Sequence, residues 1–274
     1  MQQVTLCAGD SYPTEIYLFM PREPGEYPLL AFSTGAFSHP DRYLKLLEPL
    51  AAAGYVIAAP VHLDYEGNTA APKPTRPEVW RTRNLDILRC LQAGEPITAA
   101  LATRKITLGD FPTGVLGHSY GGLIAQLAAG ARATDPAGGQ PDRRVPGLGA
   151  MIALSPPGPV PGNIDAAGWA SIELPSFTQT GTADILPGFI DDWKLHTAAY
   201  EATAPGDRTL WVGEDIDHYF NGIYGREREF DGRTQQMFSA ALAAMIAFLD
   251  HHLKGAEYRQ IPDTPGVSLT RDNP

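Results

Sequence analysis

The chain has 274 residues, and a balance of 43% hydrophobic to 19% charged residues builds a buried core and excludes a disordered or collagen-like chain. Its 31 acidic and 21 basic residues give a formal net charge of −10, with Lys and Arg scattered rather than striped, which excludes a phosphate-backbone binder, so no nucleic-acid partner is expected. Two cysteines, Cys7 and Cys90, have no CxxC or metal-type neighbour and read as buried free thiols, not as a disulfide framework or zinc site.

In chain order, residues 4–8 and 15–20 read as an antiparallel meander turning through Gly9, Asp10, Ser11 and Pro13. PLLAFS at 28–33 is a continuous apolar run, as in a strand buried on both faces, and 41–53 follows as a helix with Asp41 as its cap and Gly54 as its stop. YVIAAPV at 55–61 is the next buried strand, 62–77 a polar loop rich in proline and glycine, and 82–93 a helix. Residues 113–116 read as strand, 117–122 as a sharp turn and 123–133 as helix. A surface loop at 134–147 leads to a buried strand at 148–154. Residues 156–174, rich in proline and glycine, read as an excursion at the pocket edge, too short for a lid domain. Strand-then-loop units follow at 176–180 with 181–184, and at 208–212 with 213–218. A long helix at 233–254 closes the fold, and 255–274 reads as an extended, weakly packed tail. This alternation predicts an α/β architecture in one domain spanning 1–274.

The opening MQQVTLCAGD has neither the basic region nor the apolar run of a secretory signal. The longest uncharged helical stretch, 234–249, is shorter than the roughly 18 to 20 apolar residues a membrane span needs. The expectation is a cytoplasmic protein without membrane insertion, its oligomeric state left open.

One segment carries chemistry. Gly117-His118-Ser119-Tyr120-Gly121 is a G-x-S-x-G match between a buried strand and a helix, where the turn strains the serine backbone and small flanking residues relieve crowding. Hydrolysis of an ester through such a serine also needs a base, a group to orient the base, and donors for the oxyanion. In the chain order serine, acid, histidine, the acid falls on Asp184 in the loop after a strand, with Asp191, Asp192 and Glu173 as weaker substitutes. The base falls on His218, after the last strand and before the closing helix. Of the other histidines, His118 neighbours the serine and points away from it, His39 and His62 are loop residues without a role, His196 reads as a surface pair with Asp192, and His251 and His252 sit at the exposed end of the closing helix. Oxyanion donors are expected from the Tyr120 and Ala36 amides, the latter in the Gly35-Ala36-Phe37 turn. Phe37, His118, Trp169, Ile185, Leu186, Tyr219 and Phe220 flank these positions and are expected to wall a substrate pocket.

The segments PLLAFSTGAF, GYVIAAPVH, VLGHSYGG, LPSFTQTGTAD and DHYFNGIYG resemble the dienelactone-hydrolase and plasma-type platelet-activating-factor acetylhydrolase branch of α/β-hydrolases, which is also similar to cutinase-like polyester hydrolases. The resemblance spans residues 14 to 254. It implies a mostly parallel eight-stranded sheet flanked by helices without a large lid, and an acyl-enzyme mechanism with no metal or organic cofactor. Dienelactone hydrolases proper use a cysteine nucleophile, so Ser119 implies an esterase. The disulfide near the end of many cutinase-like enzymes has no counterpart. The expected partner is a small-molecule substrate, an uncharged small-to-medium or aromatic ester, with lactone, thioester, amide, carbamate or aromatic polyester bonds open to the same triad. A catalytically silent small-molecule receptor is the reading from another class.

Overall fold

The computed structural model describes residues 2–6, 13–68, 73–226 and 228–272. β1 (Gln2–Leu6) and β2 (Thr14–Phe19) form the expected antiparallel pair. The turn residues Gly9, Asp10 and Ser11 lie outside the described residues, as does Cys7. β3 (Gly25–Tyr27) stands apart from the main sheet. β4 (Leu29–Ser33) and β5 (Val56–Pro60) are buried at every position because alternate side chains serve opposite layers: Leu29, Ala31, Val56 and Ala58 face one core, and Leu30, Phe32, Ile57 and Ala59 the other.

Between β4 and β5 lies α1 (Leu44–Ala52), preceded by a 3₁₀ turn at Pro40–Tyr43. The cap falls not on Asp41 but on His39, whose Nδ1 accepts from the Asp41 N–H. α2 (Arg76–Gln92) starts well before the expected residue 82, because Thr75 and Glu78 form a capping box and Pro77 occupies the first turn. α3 (Glu95–Ala102) and β6 (Ile106–Leu108) follow, β6 pairing in parallel with β3 in a two-stranded sheet. Next come β7 (Thr113–His118), α4 (Tyr120–Ala128), β8 (Leu148–Leu154) and a single turn, α5 (Ala166–Trp169). β9 (Ser176–Ala183), α6 (Ala198–Ala202), β10 (Arg208–Asp217), α7 (Gly232–Lys254) and β11 (Val267–Asp272) complete the chain.

The main sheet has nine strands in the order β1-β2-β5-β4-β7-β8-β9-β10-β11, parallel from β5 to β10 and antiparallel at both ends. The expected number was eight. The ninth strand comes from the segment read as a loose tail: β11 pairs with β10 from Val267↔Gly213 to Asp272↔Arg208, and Arg208 Nε–H donates to Asp272 Oδ2 at 2.7 Å. α2, α3 and α4 cover one face, α1 and α7 the other. Full burial of side chains such as Leu47 and Phe248 is worth roughly 1.5–3 kcal/mol each and holds these helices on the sheet. Cys90 is a buried free thiol in α2. Among the described residues no helix is long and apolar enough to cross a membrane.

Candidate active site

β7 is flanked by β4 and β8, so a residue at its carboxyl end emerges in the middle of the sheet edge. Ser119 is that residue. Its backbone is held at φ 55, ψ −120, a strained conformation for a side chain with a Cβ, and α4 starts at the next residue. The flanking glycines are steric requirements: a Cβ on Gly117 would lie 2.1 Å from Gly121 O, and one on Gly121 would lie 2.0 Å from Ser33 O.

Asp184 and His218 follow the ends of the neighbouring strands β9 and β10. The β9–β10 register shifts between Gly213 and Asp217, an irregularity that redirects the end of β10. His218 Nδ1–H then donates to Asp184 Oδ1 at 2.7 Å, while Thr180 Oγ–H donates to Asp184 Oδ2 at 2.8 Å. Because an ionised carboxylate only accepts, Nδ1 of His218 carries a proton, and in the neutral ring the lone pair is then on Nε2. Burial alone would raise the Asp184 carboxyl, but hydrogen bonds from His196 and His218 outweigh it and hold the group well below the usual carboxylate range. The substitute acids stand elsewhere: Asp191 accepts from the Gly188 N–H, Asp192 caps a 3₁₀ turn through the Lys194 N–H, and Glu173 is an exposed partner of Arg144.

His196 overturns its reading as a surface pair. It is 1% exposed, with Nδ1 2.6 Å from Pro156 O and Nε2 2.9 Å from the same Asp184 oxygen that His218 uses. No helical period announces it, because it lies in a five-residue 3₁₀ turn, Trp193–Thr197. Asp184, His196 and His218 have potential ligand atoms within 4.8 Å of one another, but Asp184 and His218 are already bonded to each other, so a cation there would have to break that pair. A second such group, Asp207, His251 and His252, has its carboxylate held by Arg271 through both oxygens. His251 and His252 are half-buried rather than exposed.

The loop after β4 is fixed by charges the sequence reading did not single out. Arg83, in α2 and fully buried, donates to both oxygens of Asp64 (2.8 and 2.9 Å) and to the carbonyls of Thr34 (2.7 Å) and Gly35 (3.0 Å). Burial would raise the Asp64 carboxyl, but Arg83 overrides it and holds it low. In this loop the Gly35 N–H donates to Tyr43 Oη, the Phe37 N–H to Asp64 Oδ2 and the Ser38 N–H to Gly35 O. Among the described residues that leaves the exposed Ala36 N–H, at the cavity, as the uncommitted donor. Tyr120 is the first residue of α4, so its N–H is one of the helix's orphan donors. His62, expected to lack a role, is buried and linked to Ser33 and Asp86.

His118 joins two parts of the site. Its Nε2 lies 2.7 Å from the His218 carbonyl, which can only accept, so Nε2 carries the proton and Nδ1 accepts from Tyr43 Oη–H at 2.9 Å. Burial and then the charge of His218 lower the His118 pKa to about 3, so it stays neutral. Burial pushes the Tyr43 hydroxyl up to about 12. The chain Gly35 N–H, Tyr43, His118, His218 carbonyl thus ties the loop after β4 to the backbone of His218.

A cavity of about 970 Å³ opens over these groups, lined by Ala36, Ser119, Tyr120 and His218. Of the expected wall, Phe37, His118, Leu186 and Tyr219 line it. Three residues do not. Trp169 is fully buried, its Nε1–H donating to Gln126 Oε1. Phe220 is 1% exposed and packs on Trp211 and Phe238. Ile185 points to solvent outside the cavity. The wall also contains Trp80 from the first half of α2, stacked near Tyr120, and Phe189, which is 61% exposed at the mouth. The excursion over 156–174 contributes Pro157, Val160 and Asn163.

This arrangement is the α/β-hydrolase fold. A Klebsiella pneumoniae subsp. pneumoniae protein described as a "putative dienelactone hydrolase" is similar in structure, with a TM-score of 0.60 over 88% of this chain and 96% of the other at 16% identity. No family model matches the sequence, and no curated protein matches it.

Proposed function

We propose that the protein is a serine carboxylic-ester hydrolase acting through an acyl-enzyme. One observation carries this reading: a strained Ser119 and an Asp184-bound His218 line one cavity together with Ala36 and the first residue of α4, Tyr120. In the reaction His218 Nε2 takes the Ser119 proton as Oγ attacks the ester carbonyl, and the Ala36 and Tyr120 amides hold the developing oxyanion. His218 then returns the proton to the departing alcohol. A water molecule, activated by the same nitrogen, releases the acid. Asp184 keeps His218 in the tautomer that each step requires.

The apolar and aromatic wall of Phe37, Trp80, Leu186, Phe189 and Tyr219 supports an ester with an uncharged small-to-medium or aromatic body. The fold likeness to a chain described as a dienelactone hydrolase supports including cyclic esters among the substrates tested. The test is a panel of p-nitrophenyl esters of graded chain length, aromatic esters and lactones, with Ser119→Ala as control. Turnover that peaks on short or aromatic esters and vanishes in the control is expected. Activity that survives Ser119→Ala overturns the proposal.

A further inference from the structure

We propose that His196 is held as an imidazolium against Asp184 and acts as a positioning residue for the carboxylate that orients His218. The inference rests on the proposed triad. Its basis is a count of protons. His196 Nδ1 faces the Pro156 carbonyl at 2.6 Å and Nε2 faces Asp184 Oδ1 at 2.9 Å, and neither oxygen donates while Asp184 is ionised. A neutral ring has one N–H, so one nitrogen would then aim its lone pair at an oxygen in the buried interior. The charged ring turns an N–H toward each oxygen, as a hydrogen bond to Pro156 O at 2.6 Å and, at Asp184, as a 2.9 Å ion pair off the line of a hydrogen bond. The His196 pKa is raised: burial works against the charge, and the hydrogen bond and charge of Asp184 outweigh it.

The titratable groups that face His196 are few. Asp184 follows β9, His218 follows β10 with ring centroids 5.6 Å away, and His118 ends β7 and is neutral. The fixed Pro156 carbonyl completes the surroundings. Asp184 and His196 therefore form a charge-neutral pair before reaction. When His218 takes the Ser119 proton, the cluster goes from neutral to positive instead of from negative to neutral. His196 thus places a fixed positive charge 2.9 Å from the carboxylate that orients His218.

Two measurements test this on the intact chain. The first is ¹⁵N NMR of the histidine rings at neutral pH in wild type and in Ser119→Ala, with His196 assigned by the signals that disappear in His196→Gln. Both His196 nitrogens protonated is the expected result, and a neutral tautomer overturns the proposal. This reading needs no turnover, so it stands apart from the fate of the hydrolase assignment. The second is the pH profile of kcat/KM in His196→Gln, whose amide donates to Asp184 without a charge. Its acid limb is expected to move up by about one pH unit, within the range that a nearby charge produces. An unmoved limb in an active variant overturns the proposal, and if the variant does not fold the NMR result decides.

Discussion

Two serine–histidine–aspartate arrays lie side by side in this molecule, and only one of them is proposed to turn over substrate. In the first, Ser119 and His218 border the cavity, with Asp184 bonded to His218 at 2.7 Å. In the second, Ser33 Oγ lies 2.9 Å from His62 Nε2, and His62 Nδ1 lies 2.9 Å from Asp86 Oδ2. The residue types match, and the two histidine–aspartate contacts are of similar length. What differs is the surroundings. Ser33 ends a regular strand and is fully buried, Asp86 is fully buried, and His62 is 1% exposed beside the Arg83 guanidinium. Ser119 has a positive φ, partial exposure and two amides within the same cavity. A hydrogen-bonded relay is therefore not a catalytic site by itself; access, a strained nucleophile backbone and oxyanion donors make the difference. The buried array instead supports the loop that carries Ala36.

The largest contrast is expected between the two serines. Ser119→Ala should lower ester turnover by roughly 10⁴- to 10⁶-fold. Ser33→Ala should leave turnover within tenfold and lower stability by roughly 1–3 kcal/mol through the loss of a buried hydrogen bond. Steady-state kinetics and urea unfolding of both variants check the pair, and a Ser33→Ala loss as large as that of Ser119→Ala would break the comparison. Next comes Asp184→Asn, which should cost about 10⁴-fold in kcat by destabilising the required tautomer of His218. Near-normal kcat in that variant would put the orienting acid elsewhere.

Arg83→Met sharpens the comparison from the structural side. It strands the buried Asp64 carboxylate, at an expected cost of about 3–5 kcal/mol. It also frees the Thr34 and Gly35 carbonyls, so kcat should fall by about 10²-fold through the displaced oxyanion donor. Urea unfolding and kinetics on the folded fraction check both effects.

A separate contrast concerns the pH dependence of stability. The folded pKa of His62 is lowered by burial and by Arg83, and that of His118 is lowered to about 3, so from about pH 6.5 downward the unfolded chain takes up protons that the folded chain refuses. Stability should fall with acid in that window, by about 1.4 kcal/mol per pH unit for each such histidine. His196 has the opposite sign: its pKa is raised, so its contribution is complete below about pH 6.5 and is lost as pH rises through the folded value. Urea unfolding across pH 4–6.5 should show a shallower slope in His118→Asn than in wild type.

The elbow was legible because a glycine two residues either side of a serine, between a continuous apolar strand and a helix, has few other uses. Asp184 and His218 were legible as strand-end positions. His196 was not, because a short 3₁₀ turn has no period and its carbonyl partner lies 40 residues away. Arg83 carries no motif in the sequence; the Thr75–Glu78 pair that starts α2 early was the available signal for that helix's true extent. Trp169 and Phe220 were placed on the wall because residue type does not separate core from cavity lining. β11 was missed because Val267–Asp272 is a short edge strand with no buried residue and only two apolar ones, Val267 and Leu269.

Covalent labelling of the whole protein with a fluorophosphonate, followed by mass mapping of the modified peptide, bears most directly on the account. The adduct is predicted on Ser119, with Ser33 untouched despite its own histidine and aspartate. An adduct on another residue, or equal labelling of the Ser119→Ala variant, would contradict it.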